Sequence, residues 1–140
     1  MLKWSEAKQS FVVTGITGTP NTGVDMSSLV GGYTQTLYIT TTGSSCASYG
    51  AFSGSATATL NLTTSGSSVT IMGYIASDAC NYNLTYVSGN STSGFNLTGT
   101  ERCTSGLAAN VTASNFRKIG NKLYGTVSAS LPGCTQNGSL

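Results

Sequence analysis

The segment Phe52–Thr63 alternates between apolar and polar uncharged residues, and this alternation constrains the fold more than any other feature of the chain. The even positions carry Phe52, Gly54, Ala56, Ala58, Leu60 and Leu62, and the odd positions carry Ser, Thr or Asn. Successive side chains of a strand point to opposite faces, so the pattern predicts a strand with one buried and one solvated side. A helical period is nearly absent from the chain, and only Leu2–Gln9 would suit a short helix.

The same alternation recurs along the chain and predicts eight strands. Their approximate positions are 11–17, 33–42, 51–63, 68–76, 81–88, 93–102, 107–115 and 122–130. The residues predicted to point inward include Leu37, Ile39, Leu60, Leu62, Val69, Ile71, Ile75, Tyr82, Leu84, Tyr86, Phe95, Leu97, Val111, Leu123 and Val127. We interpret 1–140 as a single β domain with an N-terminal segment at 1–10, a meander at 11–131 and a tail at 132–140 that could begin a further strand.

Short, turn-rich connectors such as Thr64–Ser67 and Gly89–Thr92 separate most of these strands. Short links force sequential strands to pair antiparallel, which gives an up-and-down meander. Between Gly31 and Gly99 the sequence has no Lys, Arg or Pro, the residues that commonly protect a sheet edge. We therefore predict a closed eight-stranded antiparallel barrel, with a β-sandwich as the alternative.

This layout, with one long first loop at 18–32 and short hairpins after it, resembles the calycin group of lipocalin-like up-and-down barrels. It also resembles the Ser/Thr/Gly-rich β-barrel domains of bacterial secreted proteins and lipoproteins. The resemblance is architectural and covers about 11–131. The Gly-x-Trp signature of the lipocalin first strand is replaced here by Gly15-Ile16-Thr17, so no binding residues are carried over. The resemblance implies a carrier of small apolar molecules.

Charged residues make up 7% of the chain and the net charge is +2, with the basic residues scattered. This argues against nucleic acid as a partner, because phosphate binding requires a basic surface. No apolar run is long enough to form a membrane-spanning helix. The uncharged polar composition together with four cysteines predicts a secreted, periplasmic or cell-surface protein.

The four cysteines, Cys46, Cys80, Cys103 and Cys134, are expected to form two disulfides at one end of the sheet. Pairs of strands separate each cysteine from the next, so the chain returns to the same end each time. Four cysteines allow three pairings. We favour Cys46–Cys80 with Cys103–Cys134, which would close two hairpins of similar length, over Cys80–Cys103 with Cys46–Cys134.

The sequence favours a binding protein over an enzyme. The chain has no histidine, which removes the usual general base. Asp78 and Glu101 fall near the cysteine end, and we interpret them as separate solvent groups rather than a catalytic pair. Glu101 nevertheless shares the inward register of Leu97, which would make it a partly buried group in need of a partner. No metal site and no cofactor are predicted, because the chain has neither histidine nor the C-x-x-C spacing typical of zinc sites.

The predicted function is binding of a small apolar or amphipathic ligand through one mouth of the barrel. Because loop 18–32 and the turn at 116–121 lie at the same end, that mouth should be lined by Met26, Leu29, Val30, Tyr33, Phe116 and Ile119. The trio Arg117, Lys118 and Lys122 lies at the same end. The alternative is a cell-surface structural, adhesin-like or filament subunit that contacts another protein or a glycan through its outer face or a strand edge.

Overall fold

The computed structural model describes residues 24–51, 53–75 and 78–140. These residues form an all-β fold of eight strands in a closed barrel. The strands are β1 (Gly31–Thr42), β2 (Gly54–Ser65), β3 (Ser68–Ile75), β4 (Asp78–Asn90), β5 (Gly94–Cys103), β6 (Ala108–Ile119), β7 (Lys122–Leu131) and β8 (Cys134–Ser139). Each strand pairs antiparallel with the next along the chain, and β8 pairs with β1 to close the barrel.

Seven of the predicted strands are confirmed as β1 to β7. The predicted strand at 11–17 lies outside the described residues, and the eighth strand of the barrel is Cys134–Ser139. The predicted strand 107–115 is longer in the structure, because β6 continues through Phe116 to Ile119 where a turn was expected from 116. The barrel is thus closed by the C-terminal strand, which lies between β7 and β1.

The interior is formed by the side chains that the alternation assigned to it. Twelve of the fifteen predicted inward residues are buried, and Ile75, Tyr86 and Val127 are partly buried against them. Their outward neighbours are mostly Ser, Thr and Asn, which remain in solvent on one face of each strand. The barrel is therefore built by one-sided burial of antiparallel strands.

The two ends of the barrel differ, and we name them separately. At the disulfide pole, β1, β3, β5 and β7 end and the other four strands begin; all four cysteines lie there. At the capped pole, the β2–β3, β4–β5 and β6–β7 turns meet a 3₁₀ helix, Ser27–Leu29, which we call the cap helix. Strands bend at this end, with register shifts beside Val87, Asn96 and Asn115, since bulges kink the strand that carries them.

The cap helix crosses the end of the barrel. It contacts both β2 and β6, which are four strands apart in a ring of eight and therefore lie on opposite sides. Met26 and Leu29 are 1% and 0% exposed, so their side chains fill this end of the interior. The Tyr33 hydroxyl donates a 2.7 Å hydrogen bond to the Leu29 carbonyl oxygen and attaches the helix to β1.

Strand β8 is short, and a side chain continues its hydrogen bonding towards the capped pole. The Gln35 amide nitrogen donates to the Leu123 carbonyl at 2.7 Å, and the Gln35 amide oxygen accepts from the Leu123 N–H at 2.9 Å. Gln35 on β1 thereby gives Leu123 on β7 both hydrogen bonds that a strand residue would have supplied. Within the described ranges, no helix has the length and apolarity required to cross a membrane.

Candidate functional site

The interior of the barrel is hollow on the side of the disulfide pole. A cavity of about 680 Å³ begins near Phe116 and reaches exposed residues of the connectors, including Gly50 and Ser105. Its inner wall is apolar and is formed mainly by Leu37, Leu60, Ile71, Leu84, Val111 and Phe116. A space of this size is within the range of small-molecule sites, about 300–1,000 Å³.

The entrance to the cavity lies between two connectors of the disulfide pole. One is the β1–β2 connection, whose 3₁₀ turn Cys46–Tyr49 is followed by Gly50 and Ala51. The other is the β5–β6 connection, which contributes Thr104, Ser105 and Leu107. Tyr49, Ala51 and Leu107 are half-buried, so the entrance has an apolar rim.

Two disulfides fix these connectors, and their pairing corrects our preferred prediction. Cys46 is bonded to Cys134, and Cys80 is bonded to Cys103; the pairs Cys46–Cys80 and Cys103–Cys134 were wrong. Cys80 and Cys103 are direct cross-strand neighbours in β4 and β5. Cys134 begins β8, which lies beside β1, and the Ser45 N–H donates to the Gly133 carbonyl there. The Cys80–Cys103 bond therefore joins adjacent strands, the Cys46–Cys134 bond joins the β1–β2 connection to β8, and all four cysteines lie at one end as predicted.

Asp78 holds the β5–β6 side of the entrance in place. Its Oδ1 accepts hydrogen bonds from the Thr104 hydroxyl at 3.0 Å and the Ser105 N–H at 3.1 Å, and its Oδ2 accepts from the Ser105 hydroxyl at 2.6 Å. Partial burial by itself would raise the pKa of the Asp78 carboxyl, but these hydrogen bonds outweigh it and the pKa lies below its ordinary value. The charged carboxylate is thus part of the structure of the rim.

Glu101 lies inside the cavity wall and is 7% exposed. The prediction that it is a solvent group is wrong. Strand β5 continues to Cys103, so Glu101 keeps the inward register that it shares with Leu97. The Tyr82 hydroxyl donates to Glu101 Oε2 at 2.6 Å, and Cys103 Sγ lies 3.5 Å from the same oxygen. Among the described residues none donates a hydrogen bond to the other carboxyl oxygen, Oε1.

Burial raises the pKa of the Glu101 carboxyl; the hydrogen bond from Tyr82 opposes this change and the nearby charge of Asp78 adds to it. Burial and the Glu101 charge raise the pKa of the Tyr82 hydroxyl well above its ordinary value. Tyr82 is therefore a neutral donor over the whole physiological range. The pair amounts to one hydrogen-bonded acid in a mainly apolar wall, which Gln136 of β8 also lines.

The structure separates the six residues predicted to line a mouth. Phe116 lines the inner end of the cavity, whereas Met26, Leu29 and Tyr33 are buried at the capped pole. Val30 and Ile119 are 43% and 55% exposed and lie outside the cavity. Binding by these six residues stays a prediction, and the cavity that the structure contains opens at the other end.

The basic trio at the tip of the last hairpin also lies away from the cavity. Arg117 lies over the ring of Tyr124, with its guanidinium carbon 5.6 Å from the ring centre. Lys118 Nζ lies 6.0 Å from the centre of the Tyr33 ring. In the described ranges, no lysine or arginine lines the cavity.

The residues that could ligate a metal are few. Over the part of the chain that the structure describes, Asp78, Cys80 and Cys103 are the one group of three or more potential ligands that lie close together. The two sulfur atoms are bonded to each other, so they supply no thiolate. This cluster is better explained by the disulfide and by the turn that Asp78 holds.

Sequence reasoning missed Tyr82 as the partner of Glu101 and the connectors 49–51 and 104–107 as the entrance. The alternation did place Tyr82 and Glu101 on inward positions, and the register Tyr82 to Glu101 in β4 and β5 makes them direct neighbours.

Comparison of the chain with protein-family models, curated proteins and solved structures gave no match.

Proposed function

We propose that this protein binds one small apolar or amphipathic molecule inside the barrel and works outside the cytoplasm. The observation that carries the proposal is the apolar cavity of about 680 Å³ with an entrance at the disulfide pole. Protein interiors are close-packed and contain few voids larger than a water molecule. An open cavity of this size, lined mainly by Leu, Ile, Val and Phe at its inner end, has the character of a ligand site.

The apolar wall supports an apolar guest. Burial of hydrocarbon contributes about 25 cal/mol per Å² removed from water, and a mouth of a β-barrel is a common place for such sites. The eight-stranded up-and-down layout agrees with the resemblance to lipocalin-like carriers. A carrier function needs no catalytic group, and the histidine-free sequence fits that requirement.

The two disulfides support an extracytoplasmic location, because such bonds persist in oxidising compartments and are rare in the reducing cytosol. The alternative function, a surface or filament subunit, would use an exposed strand edge. Each of the eight described strands has a neighbour on both sides, and Gln35 bridges the remaining gap between β1 and β7. This arrangement favours the carrier over the subunit.

Titration with N-phenyl-1-naphthylamine, a neutral dye whose fluorescence rises in apolar surroundings, tests the proposal. The dye should bind with one-to-one stoichiometry. Leu107→Glu places a charge on the apolar rim and should weaken binding at least about tenfold, since an unpaired charge beside an apolar guest is costly. Val87→Glu is the matched control, because Val87 is 59% exposed and lies outside the cavity.

Dye binding that is equal in the wild type and Leu107→Glu would contradict the proposed entrance. Weakening by Ile119→Glu alone would instead place the entrance at the capped pole, where the sequence predicted it. Absence of any dye binding by folded protein would contradict the carrier function itself.

A further inference from the structure

The cavity wall contains acidic groups and no basic group in the described residues, and this imbalance bears on the chemistry of the ligand. Glu101 and Asp78 are two of the four acidic residues of the chain. The described basic residues Arg117, Lys118 and Lys122 lie at the opposite pole. The fourth, Arg102, follows Glu101 on β5 and so points to the outer face.

The position of Glu101 within the cavity is the second observation. The carboxyl is two residues from the strand end at Cys103, so it lies between the entrance and the apolar inner end at Phe116. One oxygen accepts the Tyr82 hydroxyl, and the other has no described donor. Because a buried polar oxygen without a partner costs free energy, a donor on the ligand would remove that cost.

We infer that the ligand is a cationic amphiphile whose protonated amine pairs with Glu101 and whose hydrocarbon part extends to Phe116; this inference rests on the proposed function. An ammonium group donates up to three hydrogen bonds and would satisfy the free oxygen of Glu101. Charge-assisted hydrogen bonds are the strong ones in a partly desolvated site. An amphiphile with a carboxylate head, by contrast, would meet the carboxyl groups of Asp78 and Glu101 and no basic side chain among the described residues.

The arrangement of the cavity fixes the orientation of such a ligand. The tail enters first and packs against Leu37, Leu60 and Val111, and the head stops at Glu101 near the entrance. Asp78 at the rim adds negative potential on the same side, and it is held there by Ser105 and Thr104. Both carboxyls therefore attract the same end of the molecule.

Three ten-carbon compounds that differ only in the head group provide the test: decylamine, decan-1-ol and decanoate. Each is used to displace N-phenyl-1-naphthylamine from the protein at about pH 7 and low ionic strength. We expect the amine to bind about tenfold or more tightly than the alcohol, as a charge-assisted hydrogen bond allows, and decanoate to bind most weakly. In Glu101→Gln the ratio of the amine affinity to the alcohol affinity should fall to within about threefold.

Asp25→Asn is the matched control. Asp25 is an exposed carboxyl at the capped pole whose oxygen accepts from Ser27, and its removal changes the net charge by the same amount. The amine preference should persist in this variant, because the charge that it removes lies far from the cavity. A preference lost equally in both variants would mean that only the overall charge matters and would overturn the inference.

The pH dependence gives a further readout that a merely structural role of Glu101 would not produce. Affinity for decyltrimethylammonium, whose charge is permanent, should fall as the pH is lowered and Glu101 takes up a proton. The groups that face Glu101 are Tyr82, which stays neutral, and Asp78, which stays charged to lower pH. The fall should be absent in Glu101→Gln.

The outcomes separate the inference from the function on which it rests. If decan-1-ol displaces the dye but the amine shows no advantage, or if decanoate binds best, the cationic ligand is excluded and the carrier remains. If none of the compounds and no dye binds, the carrier function fails together with the inference.

Discussion

At the capped pole, Met26 and Leu29 are almost fully buried beneath the turns, whereas at the disulfide pole the interior is a cavity bordered by Tyr49 and Leu107. One end of the barrel is stabilised by packed side chains. The other contains the cavity, and its connectors are held by two covalent bonds and by the hydrogen bonds of Asp78. The comparison teaches that a hollow end can be retained in a small barrel when its connectors are fastened by means other than packing.

The charges of the two ends also differ. Asp78 and Glu101 line the cavity at the hollow end, whereas Arg117, Lys118 and Lys122 outnumber Asp25 at the filled end. The aromatic rings of Tyr124 and Tyr33 lie beneath two of these cations, so part of the basic cluster is explained by contacts within the protein. Asp78 also has partners, since it accepts three hydrogen bonds. One oxygen of Glu101, by contrast, has no donor among the described residues, and this directs the proposed function to the disulfide pole.

Removal of a disulfide should have the largest effect on the difference between the poles. The Cys46–Cys134 bond spans 88 residues and the Cys80–Cys103 bond spans 23. On the chain-entropy account, the double variant Cys46→Ser/Cys134→Ser should lower the free energy of unfolding by about 4–5 kcal/mol, and Cys80→Ser/Cys103→Ser by about 3–4 kcal/mol. Denaturant unfolding measures both values.

Hydrogen exchange adds the location of the effect. Loss of Cys46–Cys134 should speed exchange in β8 and in the β1–β2 connection, because this bond fastens the closing strand. Amides of β2 and β3 near the capped pole should still exchange only through global unfolding of the variant. Uniform acceleration along the chain would show that the two poles do not differ in the way proposed.

Two leucines of one strand compare the packing of the two ends directly. Leu62 and Leu60 lie on the same face of β2; Leu62 is 0% exposed and away from the cavity, whereas Leu60 lines it. Leu62→Ala should cost about 3–4 kcal/mol, because it leaves a void among packed side chains. Leu60→Ala should cost about half as much, since a side chain beside an existing void has fewer contacts to lose.

Chemical unfolding of the two variants checks this difference, and dye titration extends it. Leu60→Ala should alter affinity for N-phenyl-1-naphthylamine, while Leu62→Ala should leave the affinity of the folded protein unchanged. Equal losses of stability at the two positions would mean that the cavity is filled in solution.

The sequence predicted the barrel well because alternation is a local property that each of β1 to β7 displays on its own. It allowed for a further strand in the tail 132–140 but did not identify it as the closing strand, since the inward positions of β8 are Cys134, Gln136 and Gly138, which carry no apolar alternation. A Cβ on Gly138 would lie 3.0 Å from Leu37 Cδ1, so a larger residue there would require the Leu37 side chain to shift. Without β8 beside β1, the neighbour of Cys46 was misplaced, and the disulfide pairing was wrong as a consequence.

The position of the cavity could not be read from the sequence for a related reason. Which end of a barrel is filled depends on where a loop folds over it, and the cap helix buries Met26 and Leu29 through contacts with the distant strands β2 and β6. No periodic pattern encodes such a contact. The burial of Glu101, by contrast, could have been predicted from the sequence, because its position in the alternation points inward although its side chain is ionisable.

The buried carboxyl should give the smallest effect, with a characteristic dependence on pH. The pKa of Glu101 is raised by burial. At a pH between the ordinary and the raised pKa, the carboxyl of the unfolded chain has therefore lost the proton that the folded protein still holds. Stability therefore falls as the pH rises from about 4.5 through the raised pKa. Glu101→Gln, which retains an acceptor for Tyr82, should remove this decline and be more stable than the wild type at neutral pH.

Asp78→Asn provides the control of opposite sign at the same pole. The pKa of Asp78 is lowered, because the hydrogen bonds from Ser105 and Thr104 outweigh the effect of burial, so its charge stabilises the fold above the ordinary pKa and that contribution is lost as the pH falls. This variant should be less stable than the wild type at neutral pH and approach it in acid. The measurement is the free energy of unfolding of the ligand-free proteins between about pH 3 and pH 8. As the pH rises, Glu101→Gln should become more stable than the wild type and Asp78→Asn less stable. Parallel curves for the two variants would mean that Glu101 is solvated like an ordinary surface carboxyl, and the basis for a cation at that position would be lost.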